Sequence, residues 1–235
     1  MQQNDTQQNT WYMPAEWVRH AATWMVWPHN QALWENTWGV TLAQVQADFA
    51  RVANAIARFG SDSQKDAYLK PGIAGDKVGA WAFAEPDAGS DPGSMTTRAV
   101  ADGDGYSISG TKMYITNGSI ADFVVVTAAT DPDQGMKGLS LFIVEKDTPG
   151  FSVPRRLQKL GVRASDTAEL SFQDCWADKS QLLGEENVGF ANAMRTLTEG
   201  RIVSAAFALG AARAAFDQSL AHAKERVAFG QPIGR

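Results

Sequence analysis

The clearest periodicity in the chain is a stripe made by Leu42, Val45, Phe49, Val52, Ile56 and Phe59, which recur at intervals of three and four residues. That spacing lays all six on one face of a helix. Ala and Gln between them favour the same state, so the pattern predicts a helix from about Thr41 to Phe59. Upstream, residues 22–27 (Ala-Thr-Trp-Met-Val-Trp) are a short apolar run stopped by Pro28, the mark of a buried strand. Downstream, Gly60-Ser61-Asp62-Ser63-Gln64 carries a capping box, with Ser61 as N-cap and Gln64 three residues on. A short helix is expected from there to about Lys70, closed by Pro71-Gly72.

From Lys77 the pattern changes to short strand-like runs, at 77–84, 95–101, 105–109, 111–116, 122–129, 139–146, 151–156 and 167–173. Asp102-Gly103-Asp104-Gly105 reads as a hairpin turn; it is like the opening of a calcium loop, but the later glutamate ligand of such a loop is missing. So many short strands in succession imply an α+β fold, with a central antiparallel β-barrel or sandwich flanked by helices. Helical spacing returns at about Val188, through Phe190, Met194, Leu197, Arg201 and Ile202 into the Ala-rich stretch Ser204–Phe216. A further helix is expected to run to Ala228, ended by Gly230-Gln231-Pro232. Helices of this kind need partners to bury their apolar faces.

Composition marks a seam at Phe59 and Gly60. Trp11, Trp17, Trp24, Trp27, Trp34 and Trp38 are six of the eight tryptophans, and glycine is rare before the seam and frequent after it. The expected organisation is a disordered tail at 1–10, a strand-plus-helix segment at 11–59, a helical connector at 60–76, a β-domain at 77–180 and a partial helical domain at 181–235. Net charge is −5 with a sequence pI near 5.2, which argues against nucleic acid as a partner. No run is long and apolar enough to span a bilayer, and no signal peptide is legible, so the expected compartment is the cytoplasm. Cys175 is the single cysteine, which excludes an intrachain disulfide and a multi-cysteine metal site. An inert thiol is the expected reading, because reactivity needs an electropositive setting.

The two sides of the seam resemble two families. Tyr12-Met13-Pro14-Ala15-Glu16-Trp17, His20-Ala21-Ala22-Thr23-Trp24 and Trp27-Pro28-His29-Asn30, followed by the helix, resemble the start of an agmatine deiminase, a relative of the peptidyl-arginine deiminases with a five-fold α/β propeller. The resemblance implies guanidinium hydrolysis through a cysteine nucleophile, but no matching machinery follows Phe59. His20 and His29 have no nucleophile beside them in this segment and are read as surface or hydrogen-bonded histidines.

Residues 60–235 resemble the acyl-CoA dehydrogenases. The carrying motifs are Ala84-Glu85-Pro86-Asp87-Ala88-Gly89-Ser90-Asp91, Gly110-Thr111-Lys112-Met113-Tyr114-Ile115-Thr116-Asn117-Gly118, Gly161-Val162-Arg163-Ala164-Ser165-Asp166-Thr167, Leu183-Gly184-Glu185 and Arg226-Val227-Ala228-Phe229-Gly230, in that order. The resemblance implies noncovalent FAD held by the β-domain, with Trp81, Ala82, Phe83 and Ala84 beside the ring and Ser90 near the pyrophosphate and the acyl-CoA. It implies Tyr114, Ile115 and Thr116 over the ring, and Arg226 reaching the FAD of a neighbouring subunit in a homo-oligomer. Thr198, Glu199, Gly200 and Arg201 match residues lining the acyl-CoA site. Two departures stand out. Tyr114 replaces a more usual Trp or Phe, and Ala84 lacks the hydroxyl that a Thr or Ser commonly donates to the flavin.

The reaction implied is α,β-dehydrogenation of an acyl-CoA thioester, with an electron-transferring flavoprotein as acceptor. No catalytic residue is assigned. The family base usually lies in a helix beyond Arg235, and the alternative position in the earlier helix is Gly200. Glu199 lies one residue away, about 100° around the helix. The expected function is therefore an impaired dehydrogenase. A noncatalytic flavin-binding fragment is the alternative, and a deiminase ranks last.

Overall fold

The computed structural model describes residues 42–234 apart from 162 and 164, with side chains from Arg51 onward apart from those of Glu199, Val203 and Phe207. The strand at 22–27, the tail at 1–10, His20 and His29 lie outside the described residues. Helix α1 runs Leu42–Phe59, as the apolar stripe predicts. Ser61 then caps α2 (Asp62–Gln64): its hydroxyl accepts from the Gln64 amide at 3.2 Å, and the Gln64 side chain accepts from the Ser61 amide at 3.0 Å. This is the expected capping box.

The helix does not stop at Pro71-Gly72. It widens into a π turn at Lys65–Leu69 and continues as α3 (Lys70–Ala74), ending at Gly75 in the left-handed conformation. Pro71, which has no N–H to donate, sits just after the π turn inside this continuous run.

Seven strands form one sheet: β1 (Gly79–Ala82), β2 (Arg98–Asp102), β3 (Gly105–Thr116), β4 (Phe123–Ala129), β5 (Leu139–Glu145), β6 (Phe151–Arg156) and β7 (Thr167–Asp178). The candidates at 105–109 and 111–116 are one strand. The turn between Asp102 and Gly105 is a two-residue hairpin linking β2 to β3. The sheet is mixed rather than antiparallel throughout. β4 pairs parallel with β1, and parallel with β2 at the single pair Arg98–Ala129, while its pairing with β5 is antiparallel. Only strands joined by tight turns are bound to be antiparallel, and the β2–β3 hairpin intervenes between β1 and β4.

The sheet curls around one core and carries a second on its outer face. Along β4, Val124 and Val126 point inward while Phe123 and Val125 point outward; along β5, Phe142 and Val144 oppose Leu141 and Ile143 in the same way. The outer set packs against Val52, Ala55 and Ile56 of α1 and Ala193 of the C-terminal helix. Burying Val52 and Ile56 fully contributes about 1.5–3 kcal/mol each. Gly79 permits this approach, because a Cβ there would come within 2.8 Å of both Val52 and Phe123.

Helix α4 is a single element, Gly189–Glu225, rather than two helices. Its start is fixed to the sheet by polar contacts: Thr130 Oγ1 donates to Asn187 Oδ1 at 2.7 Å, and the Asn187 amide donates to Ser140 Oγ at 2.8 Å. Its first three turns pack on the outer core. Beyond Gly200 it runs largely in solvent, with Ile202, Leu209 and Phe216 exposed at seven-residue intervals. The helix ends at Glu225, short of Ala228, because the chain becomes extended at Arg226 and folds into a small hairpin, β8 (Val227–Ala228) and β9 (Gln231–Pro232).

Candidate functional site

The segments 81–84 and 114–116 lie far apart in sequence, and the curl of the sheet brings them together. The Met113 amide donates to the Ala84 carbonyl at 2.8 Å, beyond the end of β1. Lys112 Nζ donates to the Phe83 carbonyl at 3.1 Å and to Glu85 Oε1 at 2.9 Å. Phe83, Ala84 and Glu85 are thereby tied to Lys112 and Met113, with Tyr114 next along the chain.

Glu85 organises the loop that follows. Its carboxylate accepts from the Thr96 amide at 2.7 Å, the Thr96 hydroxyl at 2.8 Å and the Thr97 amide at 3.0 Å. These bonds close the base of the loop and leave Ser90 exposed along it. Burial pushes the Glu85 carboxyl up, but the Lys112 charge and the hydrogen bonds from Thr97, Thr96 and Lys112 outweigh it and hold the group at about 2. Burial pulls Lys112 down to about 8, against the opposing pull of Glu85. A fully buried lysine needs such a partner.

The other side of the site is a bulge. Pairing between β3 and β7 slips between Lys112 and Ile115, and Tyr114 inside the slip has φ +62°. The irregularity turns the Tyr114 ring outward, where it is 67% exposed, while Ile115 stays in the core and Thr116 is half-buried. The turn after Thr116 is clamped by Asp166, which accepts from the Ser119 amide at 2.9 Å, the Ser119 hydroxyl at 2.7 Å and Arg156 Nε at 2.9 Å. Trp81 is buried in the outer core, with its indole Nε1 unpartnered. The Thr116 hydroxyl makes no hydrogen bond to a described residue. The surface therefore offers an exposed aromatic face, a free hydroxyl and an open polar loop, features that suit a flat heteroaromatic group carrying phosphates. Ala84 adds no donor beyond its backbone.

Other expected site residues stand elsewhere. Thr198 and Arg201 are exposed on α4, and the Thr198 hydroxyl is spent on the Met194 carbonyl at 2.9 Å. Gly200 is buried under Arg51 of α1: a Cβ there would lie 2.9 Å from Arg51 Nε. The side chain of Glu199 lies outside the described ones. Arg226 is exposed past the far end of α4, about 39 Å along the helix from Gly200 at 1.5 Å per residue. It is not brought to the 81–84 and 114–116 segments within this chain. Cys175 is buried, and burial pushes its thiol up. Among the described residues no His, Cys, Asp and Glu group could hold a metal ion, and no helix is long and apolar enough to cross a membrane.

Two functional side chains carried no role in the sequence reading. Lys112 sits at the inward parity of β3, in register with Ile108 and Gly110, and a lysine at such a position requires a buried acid. Arg51 gives no comparable signal, because its neighbour Gly200 is far away in the chain.

Residues 80–175 match the middle domain of acyl-CoA dehydrogenases, and residues 187–235 match the C-terminal domain of the same enzymes. From residue 80 onward the chain belongs to the acyl-CoA dehydrogenase family. Residues 12–65 match a different family, the Porphyromonas-type peptidyl-arginine deiminases. The chain is 45% identical over 197 residues to the short-chain-specific acyl-CoA dehydrogenase of Clostridium acetobutylicum, covering 84% of this chain and 52% of that protein. It superposes on the butyryl-CoA dehydrogenase of Megasphaera elsdenii with a TM-score of 0.79 at 41% identity, covering 82% of this chain and 51% of the other. The structure of PigA with FAD and proline gives a TM-score of 0.79 at 34% identity, covering 81% and 50%. The chain thus spans about half the length of the relatives it matches. The acyl-CoA dehydrogenase fold here is the curled mixed sheet with its packed helices.

Proposed function

We propose that this acyl-CoA dehydrogenase family chain binds FAD beside the Trp81–Ala84 and Tyr114–Thr116 segments and acts in α,β-dehydrogenation of acyl-CoA thioesters. The observation that carries the reading is the Met113–Ala84 hydrogen bond, which joins the two segments that the family resemblance assigns to one ring. FAD would supply the hydride-accepting chemistry. Tyr114 would lie against the ring, the Thr116 hydroxyl would donate to it, and Ser90 would meet phosphate oxygens. Lys112 and Glu85 hold these groups in place without touching the substrate. Arg226 would serve a neighbouring copy in a homo-oligomer, and Thr198, Glu199, Gly200 and Arg201 would border the acyl-CoA. An electron-transferring flavoprotein is the acceptor that goes with this chemistry, and the cytoplasm is the compartment proposed. Butyryl-CoA is the natural probe, given the relatives at hand.

One observation favours a second reading, a flavin-binding chain with little turnover. At the earlier-helix position where some family members carry a base there is Gly200, with the Arg51 guanidinium over it. A cation there cannot remove the α-proton.

The test is reconstitution. The chain is expected to quench and retain FAD after gel filtration, and anaerobic butyryl-CoA then separates the readings. Bleaching of the flavin band supports dehydrogenation; retained flavin without bleaching supports the second reading. A chain that retains no FAD overturns both.

A further inference from the structure

A cavity of about 780 Å³ opens where the end of α1 and the capping turn meet the start of α4. It shares no residue with the flavin surface or with Thr198–Arg201. Three basic side chains line it, Arg58, Lys179 and Arg195, against one carboxylate, Glu185. Lys179 and Arg195 have no ion-pair partner among the described residues, and both are exposed. At its wall lies Asn192, 6% exposed, whose side-chain amide makes no hydrogen bond to a described residue. Its amide is not sealed in the interior; it opens on the cavity, where it can donate to a polar occupant.

The wall itself is built rigidly. The Gln64 amide donates to the Ser180 carbonyl at 2.7 Å and to the Leu182 carbonyl at 3.0 Å, while its oxygen accepts from the Ser61 amide. The capping turn is thus fastened to the segment after β7, and the cavity is formed before any ligand arrives. From the Val188 cap into α4, Val188, Asn192 and Arg195 follow one helical face, so the Asn192 amide and the Arg195 guanidinium both line the cavity.

We infer that this cavity is a binding site for a small phosphorylated anion of the diphosphate type. Arginine and lysine around a preformed concavity suit multiply charged phosphate oxygens, the Asn192 amide supplies a neutral donor beneath them, and the volume falls in the range of small-molecule sites. A free diphosphate and the diphosphate of a nucleotide share this chemistry, and the experiment separates them.

The full chain is titrated calorimetrically with inorganic pyrophosphate, ADP and adenosine at low ionic strength. Saturable 1:1 binding of pyrophosphate and ADP, each competing with the other, is expected, with adenosine inert. ADP binding much more tightly than pyrophosphate would make a nucleotide the natural form; equal affinity would favour the free diphosphate. The Lys179→Gln/Arg195→Gln double variant changes only exposed side chains and should weaken binding at least about tenfold. Asn192→Leu should weaken it as well, with the salt dependence retained. The inference is overturned if pyrophosphate shows no saturable binding or binds the double variant unchanged. It is equally overturned if adenosine binds as well as ADP, or if FAD or butyryl-CoA displaces pyrophosphate, which would place the anion in the proposed active site.

Discussion

Lys112 Nζ lies 2.9 Å from Glu85 Oε1, and the side chains are 0% and 2% exposed. Two charges out of solvent, with five hydrogen bonds among Phe83, Thr96, Thr97 and each other, hold β1, the Ser90 loop and β3 in one arrangement. The pair is a positioning device. Lys112→Met should cost about 3–5 kcal/mol, since it strands a buried carboxylate. The Glu85→Gln/Lys112→Met double variant should recover much of that loss in urea unfolding. Additive losses would mean that the two residues act independently.

Acid should find the same pair. The Glu85 carboxyl is held at about 2 in the folded chain against an ordinary 4.5, so the unfolded chain binds the extra proton first. Its stability contribution is present above pH 4.5 and lost as pH falls towards 2, a total of roughly 3 kcal/mol at 1.36 kcal/mol per pKa unit. Lys112 works on the alkaline side. Burial holds it at about 8 against 10.5, so the unfolded chain keeps the proton longer and stability rises with pH across that window. Urea midpoints from pH 2 to 10 check both slopes, and the acid slope should flatten in Glu85→Gln.

Tyr114 combines a left-handed φ of +62° with a 67% exposed ring, so little packing offsets its strain. Tyr114→Gly should leave the chain as stable or up to about 1 kcal/mol more stable, because glycine adopts this conformation freely. If the ring covers a flavin, the same change should weaken FAD binding several-fold. Thermal unfolding of the apo chain and FAD fluorescence quenching separate the two effects.

Gly200→Glu tests the role of Arg51. A side chain at this position meets Arg51 Nε at 2.9 Å from its first carbon, so a new carboxylate would pair with the guanidinium and lose basicity. Gly200→Glu alone should add no bleaching by butyryl-CoA. Gly200→Glu with Arg51→Met should add some. Bleaching by the single variant would show that Arg51 does not govern this position.

Local features were legible in the sequence and distant ones were not. The α1 stripe and the Ser61–Gln64 capping box depend on residues three or four apart, and both formed at the expected places. The Lys112–Glu85 pair spans 27 residues and the β1–β4 pairing spans the β2–β3 hairpin, so the parity of Lys112 announces a buried acid without saying which, and the β1–β4 pairing leaves no local trace. The junction expected near Phe216 is absent: α4 runs on through it, and Arg213 Nε bonds Asp217 at 2.8 Å across that point as an i,i+4 pair. The residues of the proposed flavin site are legible only through the family motifs. What periodicity alone could not supply was the curl of the sheet that sets Ala84 beside Met113.

Helix α4 has one end in the core and a long stretch in water, and this makes it a measuring rod for cooperativity. Amides near Asn192 and Thr196 can exchange with deuterium only when the outer core opens, whereas those around Leu209 and Phe216 need only a local fraying of the helix. Exchange rates should therefore climb along one unbroken helix, with the step near Gly200. The position of that step would mark where the cooperative unit of the folded chain ends.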